Sequence, residues 1–350
     1  MTLLAIETSC DETSAAVVRD GVVLANVVSS QVRFHAQYGG VVPELAAREH
    51  LRNLPKVVAE TLREAGVAPT GLNAFAATQG PGLPSALLVG LKYAQSMAFA
   101  LGQPFLGIHH HEAHLYSPWM AGDPPRSQFK NFVPNVSLVV SGGHTMLVHV
   151  PAEFEHYVLG VTVDDAAGEC FDKVAKLIGL GYPGGPELDR LAREGRPSAF
   201  AFPRPMIHES NDDFSFAGLK TSVRYFVQKN PAILKDAQGV RDLCASVERA
   251  IVDVLVTKTL RAALRLGVAC VTASGGVTCN YLLRSELEAA CRQRRLGFRL
   301  AERSLCTDNA AMVAMLAERK LMRGIPATPL DAEIEPRWSL SAQSRAGVRA

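Results

Sequence analysis

Several common features are scarce or missing in this chain. No CxxC pair occurs among its seven cysteines, and an odd number cannot all pair, which argues against a disulfide framework or a structural zinc site. A strong basic excess is also missing, because 36 Lys and Arg stand against 34 Asp and Glu, so an autonomous nucleic-acid binder is not expected. Aromatic residues make up only 7% of the chain, so alanine and aliphatic residues must provide most of the core.

Long uninterrupted hydrophobic segments are missing as well. The longest apolar helical pattern, at residues 87–101, contains Lys92, Gln95 and Ser96, which makes it too polar to span a bilayer. The first residues reach Glu7 without a basic region, unlike a secretory signal peptide. Together with the unpaired cysteines, these features predict a cytoplasmic protein that does not associate with a membrane.

What is present is an ample apolar content, 48% of the residues, arranged in a repeated order of elements. A length of 350 residues favours two domains, since single cores rarely grow beyond about 250–300 residues. In the first half the patterns predict strands at residues 3–6, 14–18 and 22–28, a helix at 49–64, a strand at 74–77, and a helix that begins near Pro84 and ends before Gly102.

The second half repeats this order of elements without repeating the sequence. Its patterns predict strands at residues 136–140, 146–150 and 157–163, a helix at 170–178, a strand at 269–273 and a helix at 280–293. Glycine-rich turns follow the corresponding strands in both halves. We therefore expect an internal duplication of architecture.

Such a duplication predicts an α/β fold of a particular kind. Hairpin turns rich in Gly, Ser and Thr can direct backbone N–H groups at phosphates, and duplicated hairpins of this type are typical of the actin-like ATPase superfamily. We expect a duplicated ribonuclease-H-like fold with two similar mixed-sheet domains that face a nucleotide cleft. The predicted domains are residues 1–108 and 109–309, with about 310–340 packing back on the first, followed by a disordered tail at 341–350.

A cluster of histidines is the most unusual local feature. Four of the ten histidines lie within residues 109–114. If this segment is helical, His110 and His114 are four residues apart and share one face, where two imidazoles can bind one metal ion. The alternative is a helix N-terminus on which the histidines are simply exposed. The pattern is HxxxH and differs from the metalloprotease pattern HExxH, because Glu112 follows His111 but the next histidine, His114, comes one residue too early.

Two histidines need a third ligand from elsewhere in the chain. Asp308 is a candidate, because it comes directly before a predicted helix that starts near Ala310. Spacing alone favours a simpler role for Asp308 as an N-cap or first-turn acid.

Many segments match one protein family together, in order, from residue 6 to about residue 338. The matching segments are IETSCDET at 6–13, YGGVVPELA at 38–46, QGPG at 79–82, the histidines at 109–114, VSGGHT at 140–145, DDAAGE at 164–169, FDK at 171–173, YPGGP at 182–186, FSFAGLKT at 214–221, SGGV at 274–277 with Asn280, and TDNAAM at 307–312. By these motifs the chain resembles the tRNA N6-adenosine threonylcarbamoyltransferases, formerly described as O-sialoglycoprotein endopeptidases.

The resemblance implies a reaction and a set of site residues. The threonylcarbamoyl group of threonylcarbamoyl-AMP would pass to N6 of adenosine 37, in tRNAs that read codons beginning with A, and AMP would leave. One divalent metal per subunit, Fe²⁺ or alternatively zinc, would bind to His110, His114 and Asp308. Nucleotide and donor contacts would fall on Val139, Val140, Ser141, Gly142, Gly143, Asp172, Gly185, Asp189 and Asn280.

The resemblance also implies partners and a proton acceptor. The tRNA would be the substrate, and other subunits of a threonylcarbamoyl-transfer complex, including a paralogous actin-like protein and a small P-loop ATPase, would help to bind it. A near-neutral chain should hold tRNA weakly alone, through residues 33–40 or the arginines near Arg294. Asp11 and Glu12 are the candidate catalytic carboxylates, with Asp11 favoured by the resemblance, although acids are also common in solvated turns.

Two other classes of function stay open. A metalloprotease would use His110 and His114 as metal ligands, with the arrangement HxxxH instead of HExxH. A non-catalytic, nucleotide-binding regulatory subunit would use the same fold without chemistry, since a fold does not fix a function. Intact metal ligands speak against the regulatory subunit.

Overall fold

The computed structural model describes residues 1–340. Its strands are β1 (Thr2–Glu7), β2 (Glu12–Arg19), β3 (Val22–Ser30), β4 (Ala74–Gly80), β5 (Phe105–His109), β6 (Met120–Ala121), β7 (Arg126–Ser127), β8 (Asn135–Val140), β9 (Thr145–Ala152), β10 (Glu155–Val161), β11 (Cys270–Ser274) and β12 (Gly297–Leu300). Its α-helices are α1 (Val32–Ala36), α2 (Pro43–Ala65), α3 (Pro84–Leu101), α4 (His110–Tyr116), α5 (Ala167–Leu177), α6 (Gly184–Ala192), α7 (Ala217–Lys229), α8 (Ala237–Leu266), α9 (Tyr281–Gln293) and α10 (Ala310–Met322).

The contacts divide these elements into two compact units. The first unit contains residues 1–132 and 301–340, and the second contains residues 133–300. The sequence analysis placed the boundary between residues 108 and 109. In the structure, α4 and the β6–β7 ribbon follow that position but still belong to the first unit. The predicted tail at 341–350 lies outside the described residues.

The first unit is built on a seven-stranded sheet in the order β5-β4-β1-β2-β3-β7-β6. Strand β1 is central, antiparallel to β2 and parallel to β4, and all six of its residues are buried because helices cover both faces of the sheet. Leu4 and Ile6 pack into a core with Leu54 of α2 and Leu91 of α3, while α10 packs on β1 and β2. Helix α10 therefore lies against the strand whose C-terminal residue is Glu7.

The second unit is built on a five-stranded sheet in the order β10-β9-β8-β11-β12. Strand β8 is antiparallel to β9 and parallel to β11. Val136, Leu138 and Val140 alternate along β8 and bury their side chains in a core that includes Leu255 of the long helix α8. The C-terminal end of β8 leads into the turn Ser141–His144, which is thereby placed at an edge of the sheet.

The two units share one chain order, as the sequence predicted. In the first, the β1–β2 hairpin is followed by β3 and later by β4, which is parallel to β1. In the second, the β8–β9 hairpin is followed by β10 and later by β11, which is parallel to β8. Helices α3 and α9 follow the two parallel strands in the same way.

The local signals in the sequence fix most of the element ends. Pro84 is the first residue of α3, and Gly102 ends it with φ +62° in the left-handed region, as the pairing of an initial Pro with a final Gly indicates. Helix α2 is longer than predicted and begins at Pro43, because a proline in the first turn loses no helical hydrogen bond. Within the described residues, no helix is long and apolar enough to cross a membrane.

Candidate functional site

The histidine cluster lies on the short helix α4, directly after strand β5. The ring of His109, the residue before the helix, accepts a hydrogen bond at Nδ1 from the backbone N–H of Glu112 (3.3 Å), which helps to start the helix at His110. The side chains are inside the protein, with His110 6% exposed and His114 1% exposed. The alternative of an exposed helix N-terminus is therefore wrong for both residues.

Asp308 faces the two histidines. Its Oδ1 atom lies 3.0 Å from His114 Nε2 and 3.4 Å from His110 Nε2. The N-cap of α10 is Asn309, whose Oδ1 accepts the backbone N–H of Met312 (3.1 Å), so the simpler explanation of Asp308 as the N-cap is wrong. Asn309 caps the helix, and this leaves the Asp308 carboxylate available to the imidazoles.

These three side chains offer ligand atoms that all lie within 4.8 Å of one another. Two imidazoles and one carboxylate form a donor set that iron, zinc and other divalent transition metals accept. His114 Nδ1 is buried without a hydrogen-bond partner among the described residues, a sign that the surroundings do not fully satisfy this ring by themselves. The residues present therefore fit a metal ion, without fixing which one.

Glu7 is part of this site and was missed by the sequence reasoning. Its Oε2 atom lies 3.0 Å from His110 Nδ1, and its carboxylate accepts hydrogen bonds from Thr78 Oγ1 (2.6 Å) and from the backbone N–H of Ser9 (2.5 Å). The Glu7 side chain is fully buried. An acid at the end of the apolar strand β1 was the available signal, because a buried charge requires a partner.

The charges of this cluster are tightly linked. Burial alone would raise the pKa of Asp308, but the neighbouring His110 and His114 outweigh it and hold that pKa well below its usual value. The pKa of Glu7 is likewise lowered by His110 against the effect of burial. In His110, the two carboxylates overcome burial and raise the pKa well above its usual value. Each carboxylate thus stays ionised, as a metal ligand and its supporting acceptor must be.

Glu112, the acid between the two candidate metal ligands His110 and His114, is not part of this group. Its Oε2 atom forms a 2.6 Å ion pair with Lys320 of α10, and both side chains are largely buried. This pairing links α4 to α10, the helix that follows Asp308. A metalloprotease base would have to be free to accept a proton, and Glu112 is engaged by Lys320 instead.

Asp11 and Glu12 lie where β1 turns into β2. The Asp11 side chain is buried, and the Asp11 carbonyl accepts the backbone N–H of Gln31 (3.0 Å). Glu12 Oε1 accepts a hydrogen bond from Ser30 Oγ (3.1 Å). Burial and the neighbouring carboxylates of Asp11 and Asp308 raise the pKa of Glu12 to about 10, while a cation beside Asp308 would act in the opposite direction.

In the second unit, the predicted glycine loop connects β8 and β9. Val139 and Val140 end β8 with buried side chains, whereas Gly142 and Gly143 are exposed. The Ser141 backbone N–H donates to the His144 carbonyl (2.8 Å), which closes the turn. A Cβ atom added to either glycine would meet nothing within 4 Å, so the turn keeps an open approach to its backbone.

The remaining predicted residues in the second unit form two groups. Asp172 Oδ1 accepts the backbone N–H groups of Gly184 (2.8 Å) and Gly185 (3.0 Å), which ties α5 to the start of α6. Asp189 Oδ1 accepts the backbone N–H of Tyr281 (2.9 Å), at the start of α9. Asn280 is the N-cap of α9, as its Oδ1 atom accepts the backbone N–H of Leu283 (2.9 Å). The fold thus brings Asp189 and Asn280 together.

Glu248 of α8 joins Asp189 and Asn280, and nothing in the local sequence pointed to it. Asn280 Nδ2 donates a 2.6 Å hydrogen bond to Glu248 Oε1. Burial, together with the adjacent Asp189, raises the pKa of Glu248 to about 8. Because Glu248 lies in the middle of a 30-residue helix, only the packing of α8 on α6 and α9 reveals its neighbours.

Comparisons with known proteins agree with this geometry. The family model described as tRNA N6-adenosine threonylcarbamoyltransferase matches residues 22–315. Proteins of that name are 51% identical over 326 residues in Geobacter metallireducens (93% of this chain and 93% of that protein) and 48% identical over 344 residues in Geotalea uraniireducens (98% and 97%).

Solved structures with low sequence identity share the fold. Component A of the Acidaminococcus fermentans (R)-2-hydroxyglutaryl-CoA dehydratase superposes with a TM-score of 0.53 at 16% identity, covering 92% of this chain and 99% of that one. HypF of T. kodakarensis gives 0.60 at 16% identity, covering 93% of this chain and 48% of that one. These likenesses confirm the predicted actin-like ATPase fold. The resemblance inferred from the motifs is also confirmed: the chain belongs to the tRNA N6-adenosine threonylcarbamoyltransferase family.

Proposed function

We propose that this chain transfers the threonylcarbamoyl group of threonylcarbamoyl-AMP to N6 of adenosine 37, in tRNAs that read codons beginning with A. Membership of the family supports the reaction. The observation that carries the proposal for this chain is the group formed by the buried His110 and His114 and the partly exposed Asp308, whose ligand atoms lie within 4.8 Å of one another. A family member that had lost its chemistry would have little need to keep such a group intact.

The reaction is an acyl transfer that must activate a weak nucleophile. N6 of adenine forms a new bond to the carbamoyl carbon, the bond from that carbon to the phosphate oxygen breaks, AMP leaves, and N6 loses a proton. The lone pair of N6 is delocalised into the ring, so the acyl carbon has to be made more reactive or the proton has to be removed. A metal ion on the three ligands would supply Lewis-acid polarisation of an oxygen of the donor.

In the first unit, we assign three tasks to the chain's own residues. His110, His114 and Asp308 would hold the metal ion, and Glu7 would keep His110 oriented through its 3.0 Å contact with Nδ1. Asp11 would accept the proton of N6. Glu12 is the other candidate acceptor. Its raised pKa would leave the carboxyl protonated, and therefore unable to accept the proton, as long as no cation lies beside it.

In the second unit, we assign donor binding. The exposed backbone of Gly142 and Gly143 would hold anionic oxygens of the donor, as short glycine turns after a strand do, and Ser141 would close the turn that presents them. Val139 and Val140 bring this turn to the edge of the sheet. The Asp172–Gly185 and Asp189–Asn280 groups would bind the nucleotide part of the donor, since both present polar side chains at helix N-termini.

The metal is proposed to be Fe²⁺. Two histidines and one carboxylate that leave other positions open form the arrangement that non-haem iron(II) uses, and zinc accepts the same donors. Soft thiolate ligands, which would favour zinc, do not belong to the group of three. Metal analysis of protein purified without added metal decides between the two.

The proposed partners follow from the resemblance and from charge. A net charge of +2 offers little attraction to a polyanion, so additional subunits would help to bind the tRNA. We propose a paralogous actin-like protein and a small P-loop ATPase as these subunits, and a cytoplasmic location for the complex. Weak tRNA binding by the isolated chain, strengthened by the added subunits, is the expected result.

The test is transfer of labelled threonylcarbamoyl from its adenylate to unmodified tRNA, with the purified chain alone and with the candidate partner proteins. Label in the tRNA that requires metal and is lost in His110→Ala supports the proposal. If no combination transfers label while nucleotide still binds, the chain is a regulatory subunit. Cleavage of a peptide by the metal-bound chain, without transfer, would instead revive the metalloprotease.

A further inference from the structure

A chain of buried polar side chains crosses the first unit, outside the group of metal ligands. It consists of Thr13 on β2, Gln31 between β3 and α1, His35 on α1 and His50 on α2. His35 and His50 are fully buried and Gln31 is 3% exposed. Buried polar groups almost always have hydrogen-bond partners. The hydrogen bonds within this set of side chains, called the polar chain below, therefore show which parts of the first unit it connects.

The first end of this polar chain is the backbone of Cys10. His50 Nε2 lies 2.9 Å from the Cys10 carbonyl oxygen, which can only accept a hydrogen bond, so Nε2 carries the hydrogen. His50 Nδ1 must then be an acceptor in the neutral ring. It lies 2.8 Å from Thr13 Oγ1 and 3.3 Å from Gln31 Nε2, and both of these groups can donate.

The second end is the backbone of Val42. The orientation of the Gln31 amide is fixed, because its Nε2 also donates to the Ala46 carbonyl (3.3 Å). Gln31 Oε1 therefore accepts from His35 Nε2 (3.1 Å), and His35 Nδ1 accepts from the Val42 backbone N–H (3.4 Å). Every hydrogen bond from Val42 to Cys10 thus points in one direction.

This consistency fixes both histidines in one tautomer. Burial lowers the pKa of His50, so the neutral ring that the hydrogen bonds require is also the favoured one. Replacing any member by a group that cannot both donate and accept leaves a buried partner unsatisfied, at a typical cost of about 1–3 kcal/mol. The polar chain therefore holds both of its ends in one arrangement.

The two ends of the polar chain, at Cys10 and at Val42, lie in different segments of the first unit. Cys10 is joined to Asp11, the proposed proton acceptor, and the Asp11 carbonyl in turn accepts the Gln31 backbone N–H (3.0 Å). At the other end, residues 32–42 contain α1 and the turn at Gly39 and Gly40, both with positive φ, together with the exposed ring of Tyr38. A partly exposed segment is thereby connected to the peptide bond that joins Cys10 to Asp11.

We propose that His50 is a positioning residue for Asp11, and that the polar chain makes the placement of Asp11 depend on how residues 32–42 are seated. Among residues 1–340, the hydrogen-bond partners of His50 are Cys10, Thr13 and Gln31, so it would act through the backbone at Cys10. This inference rests on the proposed transfer reaction and on the role of Asp11 in it.

The variants that test it differ in which bond they keep. His50→Gln keeps a donor near the position of Nε2 and can still reach the Cys10 carbonyl, whereas His50→Asn keeps only the shorter reach of Nδ1. His35→Leu breaks the far end without touching Cys10. Thr61→Val is the matched control, because Thr61 is also buried on α2 but its hydroxyl donates to the carbonyls of Val57 and Ala15, outside the polar chain.

We expect kcat for transfer to fall by about 10- to 100-fold in His50→Asn, since displacing a catalytic group by about 1 Å can cost a factor of this size. His50→Gln should recover much of this loss, and His35→Leu should lower kcat even though it lies at the far end. The KM for donor and the KM for tRNA should change little in all three, and Thr61→Val should keep the wild-type kcat.

Amide hydrogen exchange tests the same inference without any activity. His50→Asn should speed exchange at the Val42 amide, which donates to His35, and at the Gln31 amide, which donates to the Asp11 carbonyl, while Thr61→Val leaves both unchanged. Equal losses of kcat in His50→Gln, His50→Asn and Thr61→Val would overturn the positioning role. Wild-type exchange at Val42 and Gln31 in His50→Asn would overturn the connection. If the wild-type protein transfers no label, the proposed function is contradicted. The exchange result would still decide whether the peptide at Cys10 and residues 32–42 are connected.

Discussion

The candidate metal site of the first unit is formed by side chains, whereas the glycine loop of the second unit presents mainly backbone. His110 and His114 are buried side chains, Asp308 is partly exposed, and Glu7 behind them is fully buried. The loop at Gly142 and Gly143 exposes backbone, and its side-chain positions are open. From this difference we expect the first site to be sensitive to the loss of any one functional group, and the second to be sensitive to added bulk.

The largest effect is expected from Asp308→Ala. Removing the carboxylate leaves two neutral histidines and takes away the anionic ligand that offsets the charge of the metal ion, so bound metal and transfer should both fall by more than about 100-fold. Metal content and the transfer rate are measured on the same preparation. Asp331→Ala removes an exposed carboxylate of the same unit and should change neither. Full metal content in Asp308→Ala would remove Asp308 from the ligand set.

A smaller effect is expected from Glu7→Gln. The amide keeps the size of the side chain but no longer offers a charged acceptor to His110 Nδ1, so metal affinity should fall by about 10- to 100-fold. Competition with a coloured chelator measures the affinity without reference to catalysis. Glu318→Gln is the matched control, because Glu318 is also a buried glutamate of the first unit and accepts the Gly21 backbone N–H instead. If both variants bind metal equally well, Glu7 does not orient His110.

The glycine loop should respond in the opposite way. In Gly143→Ala the added methyl group meets no neighbour, so the free energy of unfolding should stay within about 0.5 kcal/mol of wild type. Affinity for AMP should nevertheless fall by about tenfold, since the methyl group keeps the phosphate away from the backbone. Calorimetric titration with AMP measures this change.

Gly275→Ala is the contrasting variant in the same unit. Gly275 has φ +91°, and a Cβ atom there would lie 2.3 Å from the Val140 carbonyl oxygen, so this substitution should destabilise the fold itself. Unchanged AMP affinity in Gly143→Ala would show that the loop does not bind phosphate.

The smallest effect concerns Glu248 and pH. Its pKa is about 8 in the folded chain against an ordinary value of 4.5, so between these values the folded state holds a proton that the unfolded state has lost. The contribution of Glu248 to the free energy of unfolding is therefore largest at low pH. It decreases as pH rises from about 5 to about 8, by at most about 1.4 kcal/mol per pH unit.

Glu248→Gln cannot titrate, so the stability of the variant relative to wild type should rise over that pH range. Urea unfolding at several pH values measures it, and Glu288→Gln, an exposed glutamate of the second unit, should show no such trend. Parallel pH curves for wild type and Glu248→Gln would mean that Glu248 is ionised throughout.

The parts of the molecule that the sequence predicted well are those with local signals. Hairpins, glycine turns and helix ends depend on residues close together in the chain, and Pro84 with Gly102 is a clear case. His110 and His114 belong to the same class, because helical spacing alone puts them on one face. The family motifs added Asp308, which spacing by itself had favoured as a cap.

The parts that the sequence missed depend on long-range packing. Glu7 meets His110 across about 100 residues, and Glu248 meets Asn280 because α8 packs on α9. Glu112 finds Lys320 only because α10 returns to the first sheet. The apolar strand before Glu7 indicates that this acid is buried but does not identify its partner, and no local pattern marks Glu248 or Glu112, so these contacts come from the tertiary structure alone.

The central claim is that metal bound to His110, His114 and Asp308 is required for transfer to tRNA. The most direct measurement is a titration of Fe²⁺ into the metal-free chain, supplied with its partner proteins, threonylcarbamoyl-AMP and tRNA, while bound metal and transfer rate are followed together. The account predicts that both rise in parallel and reach their maxima at one metal per chain, and that neither rises in His110→Ala. Full transfer by the metal-free wild type would contradict it.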